Sequence, residues 1–299
     1  STYKPFMALA ALETGKRTPS QSISDPGFFT FGNHTFRDDK VGGHGSVDMA
    51  KSIIESCDTY YYHLARDMGV NMMHDFMKPL GFGQITGIDL EGEIRGILPS
   101  TAWKERSFKK PEQQKWYEGE TISLGIGQGY NSFSILQLAH ATANLANQGV
   151  VMKPHLVKSI EDPISKERTL TTPKESYKIP LKKENIDVIT NAMLDVNRFG
   201  TSAAAFKGAS YNAAGKTGTA QVFSLNSKSY SHSSTPEFLR DHALYIVFAP
   251  AEKPKIAIAM VVENAGFGAA QAAPIARKAL DYYIEGRWPK EIPEWKNAP

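Results

Sequence analysis

Apolar and polar positions alternate along this chain with two different periods, and the change of period divides it. Phe6, Met7, Leu9, Ala10, Ala11 and Leu12 make an apolar stretch of good helix formers that Gly15 closes, so a helix is predicted from about Ser1. Pro5 suits the first turn, where its missing N–H had no partner to lose. Further helices are predicted from a Ser46 cap through Ile54, from Thr59 to a stop at Gly69, and from Met72 to Met77. "SILQLAHATANLANQG" is the clearest helix, capped by Ser134 and ended by Gly149, and Lys183 to Asn197 is another. Between them, Thr18 to Gly45 is rich in turn residues, and Gly81 to Glu120 is irregular.

The last third reads differently. Three strands are predicted, Asn212–Phe223, Ala243–Phe248 and Ile256–Val262, the last two joined as a hairpin through Ala251 to Lys253. A helix from Ala269 to Ile284 closes the pattern. Helices followed by an antiparallel sheet and a packing helix predict the α+β class. Residues 1–299 are read as one domain, with a mostly helical and loop part over 20–205 and a sheet part over 206–286.

Composition narrows the function classes. With 299 residues and 41% hydrophobic content the chain can bury a large core. A net charge of +3 without basic runs interleaved by aromatics gives nucleic-acid binding little support. No apolar run approaches the roughly 20 residues of a membrane helix. The single cysteine, Cys57, leaves no intrachain disulfide to form.

Three short motifs carry the candidate chemistry. In "STYK", Ser1 and Lys4 share a helix face, so the lysine can reach the serine hydroxyl and act as its base, although an exposed helix start with a capping serine and a solvated lysine reads the same way. In "SCD", Ser56 and Asp58 sit in a break between helices, although a helix end and a capping aspartate read the same way. In "GKTGTA", Lys216, Thr217 and Thr219 offer a cation and hydroxyls to a carboxylate, and Gly218 lets a substrate approach the strand edge. A threonine-rich edge strand is the plainer account of that stretch. Each motif is common alone. Ser-x-x-Lys, Ser-x-Asp and Lys-Thr-Gly in that order are the signature of penicillin-binding proteins and serine β-lactamases.

With "DPGFF", "GGHGSVD", "SCDTYYYHLARDMGV", "GFGQITGIDL", "GIGQGYNSFSILQLAHATANLANQG", "AGKTGTAQVF" and "LRDHALYIVFAP", the chain resembles, nearly end to end, the transpeptidase domain of class B penicillin-binding proteins. The resemblance is to the elongation-type penicillin-binding protein 2 family of Gram-negative bacteria. It implies a peptidoglycan D,D-transpeptidase: Ser1 attacks a D-Ala-D-Ala stem peptide, Lys4 is the base, and Ser56 relays a proton. Asp58 stands where that motif often has asparagine. Lys216, Thr217 and Thr219 would bind the terminal carboxylate, and the backbone N–H groups of Ser1 and Thr219 would form the oxyanion hole. It also implies covalent inhibition by β-lactam antibiotics, a membrane polymerase of the elongation machinery as partner, and a place at the periplasmic face of the inner membrane. The family's five-stranded sheet further implies two upstream strands, a pedestal and an anchoring helix before Ser1.

Three other readings stand beside it. An N-terminal nucleophile hydrolase would use the amine of Ser1, but leaves the other motifs unexplained. A serine β-lactamase needs a group to activate water, and the class A Glu-x-x-x-Asn pattern is missing from the sequence. A β-lactam sensor domain would acylate without turnover.

Cys57 lies inside the second motif, with Asp25, Asp38, Asp39 and His44 upstream in turn-rich segments. Thiol, imidazole and carboxylate suit zinc, although a lone cysteine is usually just buried. The resemblance implies a structural zinc on two aspartates, a histidine and a cysteine, which Asp25, Asp38, His44 and Cys57 match, with Asp39 the alternative to Asp38.

Overall fold

The computed structural model describes residues 1–221 and 235–289. The first part of the chain forms α1 (Lys4–Glu13), the short strands β1 (Ile23–Asp25), β2 (Phe28–Phe31), β3 (His34–Arg37) and β4 (Gly45–Val47), then α2 (Met49–Ile54) and α3 (Asp58–Met77). Next come α4 (Thr101–Ser107), α5 (Pro111–Gln114), α6 (Gly119–Ile122) and α7 (Ile135–Ala146), followed by β5 (Val150–Met152), β6 (Ser159–Glu161), β7 (Arg168–Leu170) and β8 (Glu175–Lys178). The last part holds α8 (Lys183–Arg198), α9 (Ala203–Phe206), β9 (Ala214–Ala220), β10 (His242–Ala249), β11 (Ile256–Val262) and α10 (Gly268–Glu285).

The fold is α+β, as the change of period indicates. Its main sheet is antiparallel in the order β11-β10-β9, with Lys216 opposite Ile246 and Ala243 opposite Val262. Alternate residues of β10 serve two cores. Ala243, Tyr245, Val247 and Ala249 pack with Ala272, Ala273, Ala276 and Leu280 of α10, while Ile246 and Phe248 join the larger core with α1, α3, α7 and α8. Every α1 residue from Lys4 to Leu12 is buried. That explains its near-uniform apolar sequence: it is hydrophobic all round because it runs through the core.

Several boundaries depart from the sequence reading. α1 begins at Lys4, and Ser1 lies in the turn before it, closed by Lys4 N–H to the Ser1 carbonyl at 3.2 Å. Ser46 belongs to β4, not to a helix cap; Asp48 caps α2 by accepting from the Lys51 N–H at 2.9 Å. The helices before and after Gly69 run as one element broken at that glycine, whose φ of 73° interrupts the helix. The turn-rich stretch contains two small antiparallel pairs, β1 with β4 and β2 with β3, that its glycines and polar residues concealed. The predicted first sheet strand is shorter, Ala214–Ala220, and Val222 and Phe223 lie outside the described residues.

Candidate active site

Lys4 and Lys216 are the least expected residues of the core: each is 0% exposed. An ammonium that deep must be paired, because stripping its water costs several kcal/mol, on the order of the Born penalty left after relaxation. Lys4 is paired. Its Nζ donates to Asp58 Oδ1 at 2.6 Å, to the Ser56 carbonyl at 2.6 Å and to Ser56 Oγ at 3.1 Å. Lys216 Nζ reaches the same Ser56 Oγ at 2.8 Å and the Thr217 carbonyl at 3.1 Å. Burial, and then the charge of Lys4, push the Lys216 ammonium well below its ordinary pKa. The Ser56 hydroxyl therefore bridges two lysines from distant parts of the chain.

The geometry of the turn makes this possible. Ser56 has φ of 64°, a left-handed conformation that a non-glycine residue adopts at a cost of roughly 1–3 kcal/mol. The kink sends Ser56 toward the lysines while Cys57 turns away to the other side. Asp58 is the first residue of α3 and spends its carboxylate on Lys4. The start of α3 is instead capped from elsewhere in the chain: Asp38 Oδ2 accepts from the Thr59 N–H at 2.8 Å.

Ser1, Gly218 and Thr219 line one cavity of about 330 Å³, closed on the far side by Ile126, Gly127, Gln128 and Asn131. The Ser1 nitrogen donates to the Ile126 carbonyl at 3.1 Å. Gly218 has a more immediate reason to be glycine than substrate access. A Cβ there would lie 2.8 Å from Thr2 Cγ2 and 3.1 Å from the Thr2 nitrogen, so the bare backbone lets the turn that carries Ser1 press against β9. Thr217 is buried, and its hydroxyl pairs with that of Thr201 at 2.8 Å. Thr201 carries no motif. Ile126 and its neighbours sit in "GIGQGYNS", whose glycines signal a turn but not that the turn walls a site.

The penicillin binding protein transpeptidase domain family matches residues 1–281. The chain belongs to this family. Among curated relatives, the peptidoglycan D,D-transpeptidase MrdA of Haemophilus influenzae is 41% identical over 97% of this chain and 44% of its own length. That of Acinetobacter baumannii is 42% identical over 95% of this chain and 42% of its own. The chain thus spans less than half the length of these relatives. Pseudomonas aeruginosa PBP2, solved in complex with WCK 5153, superposes with a TM-score of 0.80 at 37% identity, covering 97% of this chain and 62% of that one. Helicobacter pylori PBP2 in complex with MreC gives 0.78 at 30%, covering 96% and 49%. A chain from a peptidoglycan synthase complex that coordinates polymerization and crosslinking gives 0.78 at 26%, covering 97% and 47%.

On the other side of the Ser56 kink lies a second buried cluster. Asp25, Asp38, His44 and Cys57 each present one ligand atom, all within 4.8 Å of one another. His44 Nδ1 is 2.8 Å from Asp25 Oδ2 and 3.3 Å from Asp38 Oδ1, and Cys57 Sγ is 3.4 Å from an oxygen of each carboxylate. Asp39 is not a member. Burial and the Asp38 carboxylate push the Cys57 thiol far up. The donor chemistry, a thiol, an imidazole and two carboxylates, suits zinc, whose tetrahedral bonds of about 2.0–2.3 Å would bring ligand atoms to roughly 3.3–3.8 Å apart.

Proposed function

We propose that this chain is the catalytic domain of a peptidoglycan D,D-transpeptidase working through a Ser1 acyl-enzyme. The observation that carries the reading is the convergence of three motifs: Lys4 and Lys216 meet on the Ser56 hydroxyl, with Asp58 on Lys4 and Ser1 lining the same cavity as Gly218. Ser1 Oγ attacks the carbonyl of the penultimate D-Ala. Its proton passes to Lys4, which hands one of its own three protons to Asp58 as it accepts and which Asp58 holds in place. The C–N bond breaks, and Ser56, fed by both lysines, delivers a proton to the leaving D-Ala amine. The amine of a neighbouring stem peptide then attacks the ester and passes its proton to Ser56, and the C–O bond breaks as Lys4 returns a proton to Ser1 Oγ. The terminal carboxylate lies by Lys216, Thr217 and Thr219. With Thr201 as donor in their pair, the Thr217 proton is free for that carboxylate. The backbone N–H groups of Ser1 and Thr219 supply the oxyanion site at the cavity they line. A β-lactam opens on the same serine and remains attached.

Asp25, Asp38, His44 and Cys57 would hold a zinc ion, which supplies charge neutralisation and no step of the reaction. Its effect would be to fasten the 24–45 segment to the turn that carries Ser56. Lys51 already ties part of that segment, donating to the His44 carbonyl at 2.7 Å and the Ser46 carbonyl at 3.0 Å. The relatives solved with MreC and in a synthase complex support a membrane polymerase of the elongation machinery as partner. A place at the periplasmic face of the inner membrane is part of the same proposal and rests on the family resemblance alone. No helix among the described residues is long and apolar enough to cross a membrane.

The test is incubation with a D-Ala-D-Ala pentapeptide and an amine acceptor. Release of D-Ala with a new donor–acceptor amide supports transpeptidation. Release with a free acid in place of the amide indicates a carboxypeptidase, and rapid penicillin turnover indicates a β-lactamase.

A further inference from the structure

We infer that His242 grips the acyl-donor peptide upstream of the attacked bond by donating its Nε2–H to a peptide carbonyl oxygen; this rests on the acyl-transfer reading above. His242 starts β10 and lies opposite Ala220, while Gly218 lies opposite Leu244 and Leu244 opposite Val261. Residues directly opposite in an antiparallel pair share a face. His242, Ala220, Gly218, Leu244 and Val261 therefore present one surface, and all five line the cavity that contains Ser1.

The ring's hydrogen-bonding state is set by its surroundings. The Asn264 backbone N–H donates to His242 Nδ1 at 2.9 Å. A backbone N–H can only donate, so Nδ1 is the acceptor and the ring proton sits on Nε2. Asn264 is itself fixed: its φ is 53°, and its side-chain amide donates to the Phe238 carbonyl at 3.2 Å and the Arg240 carbonyl at 3.0 Å. Among the described residues Nε2 has no partner, which leaves an oriented donor at the cavity wall.

Strand polarity says which part of the substrate it meets. Lys216, with the carboxylate end of the donor, and Gly218, against the nucleophile's turn, come first along β9. Ala220 and His242 come about 6–7 Å further on, at two residues of strand rise. A peptide with its carboxylate at Lys216 and its reacting carbonyl at Ser1 carries its upstream residues past Ala220. His242 is then a specificity residue for donor length. It takes no part in the proton transfers.

The experiment uses two thioester donors on this chain, an N-acyl-D-alanyl thioester and the same compound extended by two upstream amino acids. Second-order acylation constants are read by intact mass for the parent, His242→Leu and His242→Gln. The extended-to-short ratio is expected to fall about tenfold in His242→Leu, through weaker donor binding and not a slower limiting acylation step, and to recover in large part in His242→Gln, which restores an N–H donor. An unchanged ratio in His242→Leu, or equal slowing of both donors, overturns the inference while leaving the acyl-transfer reading intact. If the parent is acylated at Ser1 by neither donor, the acyl-transfer reading falls, and the inference with it.

Discussion

Ser56 and Cys57 are neighbours in sequence, yet their side chains enter two separate buried polar clusters. On the Ser56 side two lysines meet a hydroxyl and one carboxylate. Every ammonium has partners, and the hydroxyl between them can move a proton in either direction. On the Cys57 side two carboxylates, a thiol and an imidazole crowd together, and among the described residues no lysine or arginine pairs with either carboxylate. Burial resists charge in both places, but only the first contains its own counter-charge. The first cluster is suited to shifting protons; the second, with no such counter-charge, is suited to holding a cation. Because one backbone kink serves both, disturbing the second should loosen the first, whereas disturbing the first should leave the second alone.

The strongest way to break that comparison is Lys4→Ala. It should slow penicillin acylation on the order of 10³-fold, the usual scale of general-base loss, while any bound metal stays at one equivalent per chain. Metal loss in this variant would show the clusters are coupled in both directions. Next in size, Cys57→Ser should drop zinc, measured by elemental analysis, from about one per chain to nearly none, lower the melting temperature by about 5 °C, and slow acylation. Metal-free parent protein that melts unchanged with a strong chelator would make Cys57 an ordinary core residue. Gly218→Ala sharpens the first cluster alone. Its methyl meets Thr2, so stability should fall by about 1–3 kcal/mol and acylation by roughly tenfold, with zinc content untouched. Smallest is Thr201→Val, which removes one hydrogen bond from Thr217 and should weaken donor binding about fivefold.

The two clusters were legible in the sequence to different depths. Lys4, Ser56, Asp58 and Lys216 announce themselves because reactive residue types recur in fixed short spacings on elements whose period is plain. Asp25, Asp38, His44 and Cys57 have no such local spacing. Their meeting depends on the small β1–β4 and β2–β3 pairs, whose strands are three or four residues long and carry little periodic signal. The residue types matched the family pattern, but only the fold shows the atoms within 4.8 Å. The capping of α3 by Asp38, the Thr201–Thr217 pair and the fit of Thr2 against Gly218 are long-range in the same way. No pattern in a window of ten or fifteen residues contains them. The main sheet and the helices around it were readable because each buries a face at its own period.

The central claim is that Ser1 is the nucleophile of an acyl-transfer site. It is tested most directly by incubating the protein with a penicillin, measuring the intact mass and mapping the adduct by peptide fragmentation. The account predicts one covalent adduct per chain, located on Ser1 and lost in Ser1→Ala. An adduct on any other residue, or full labelling of Ser1→Ala, would contradict it.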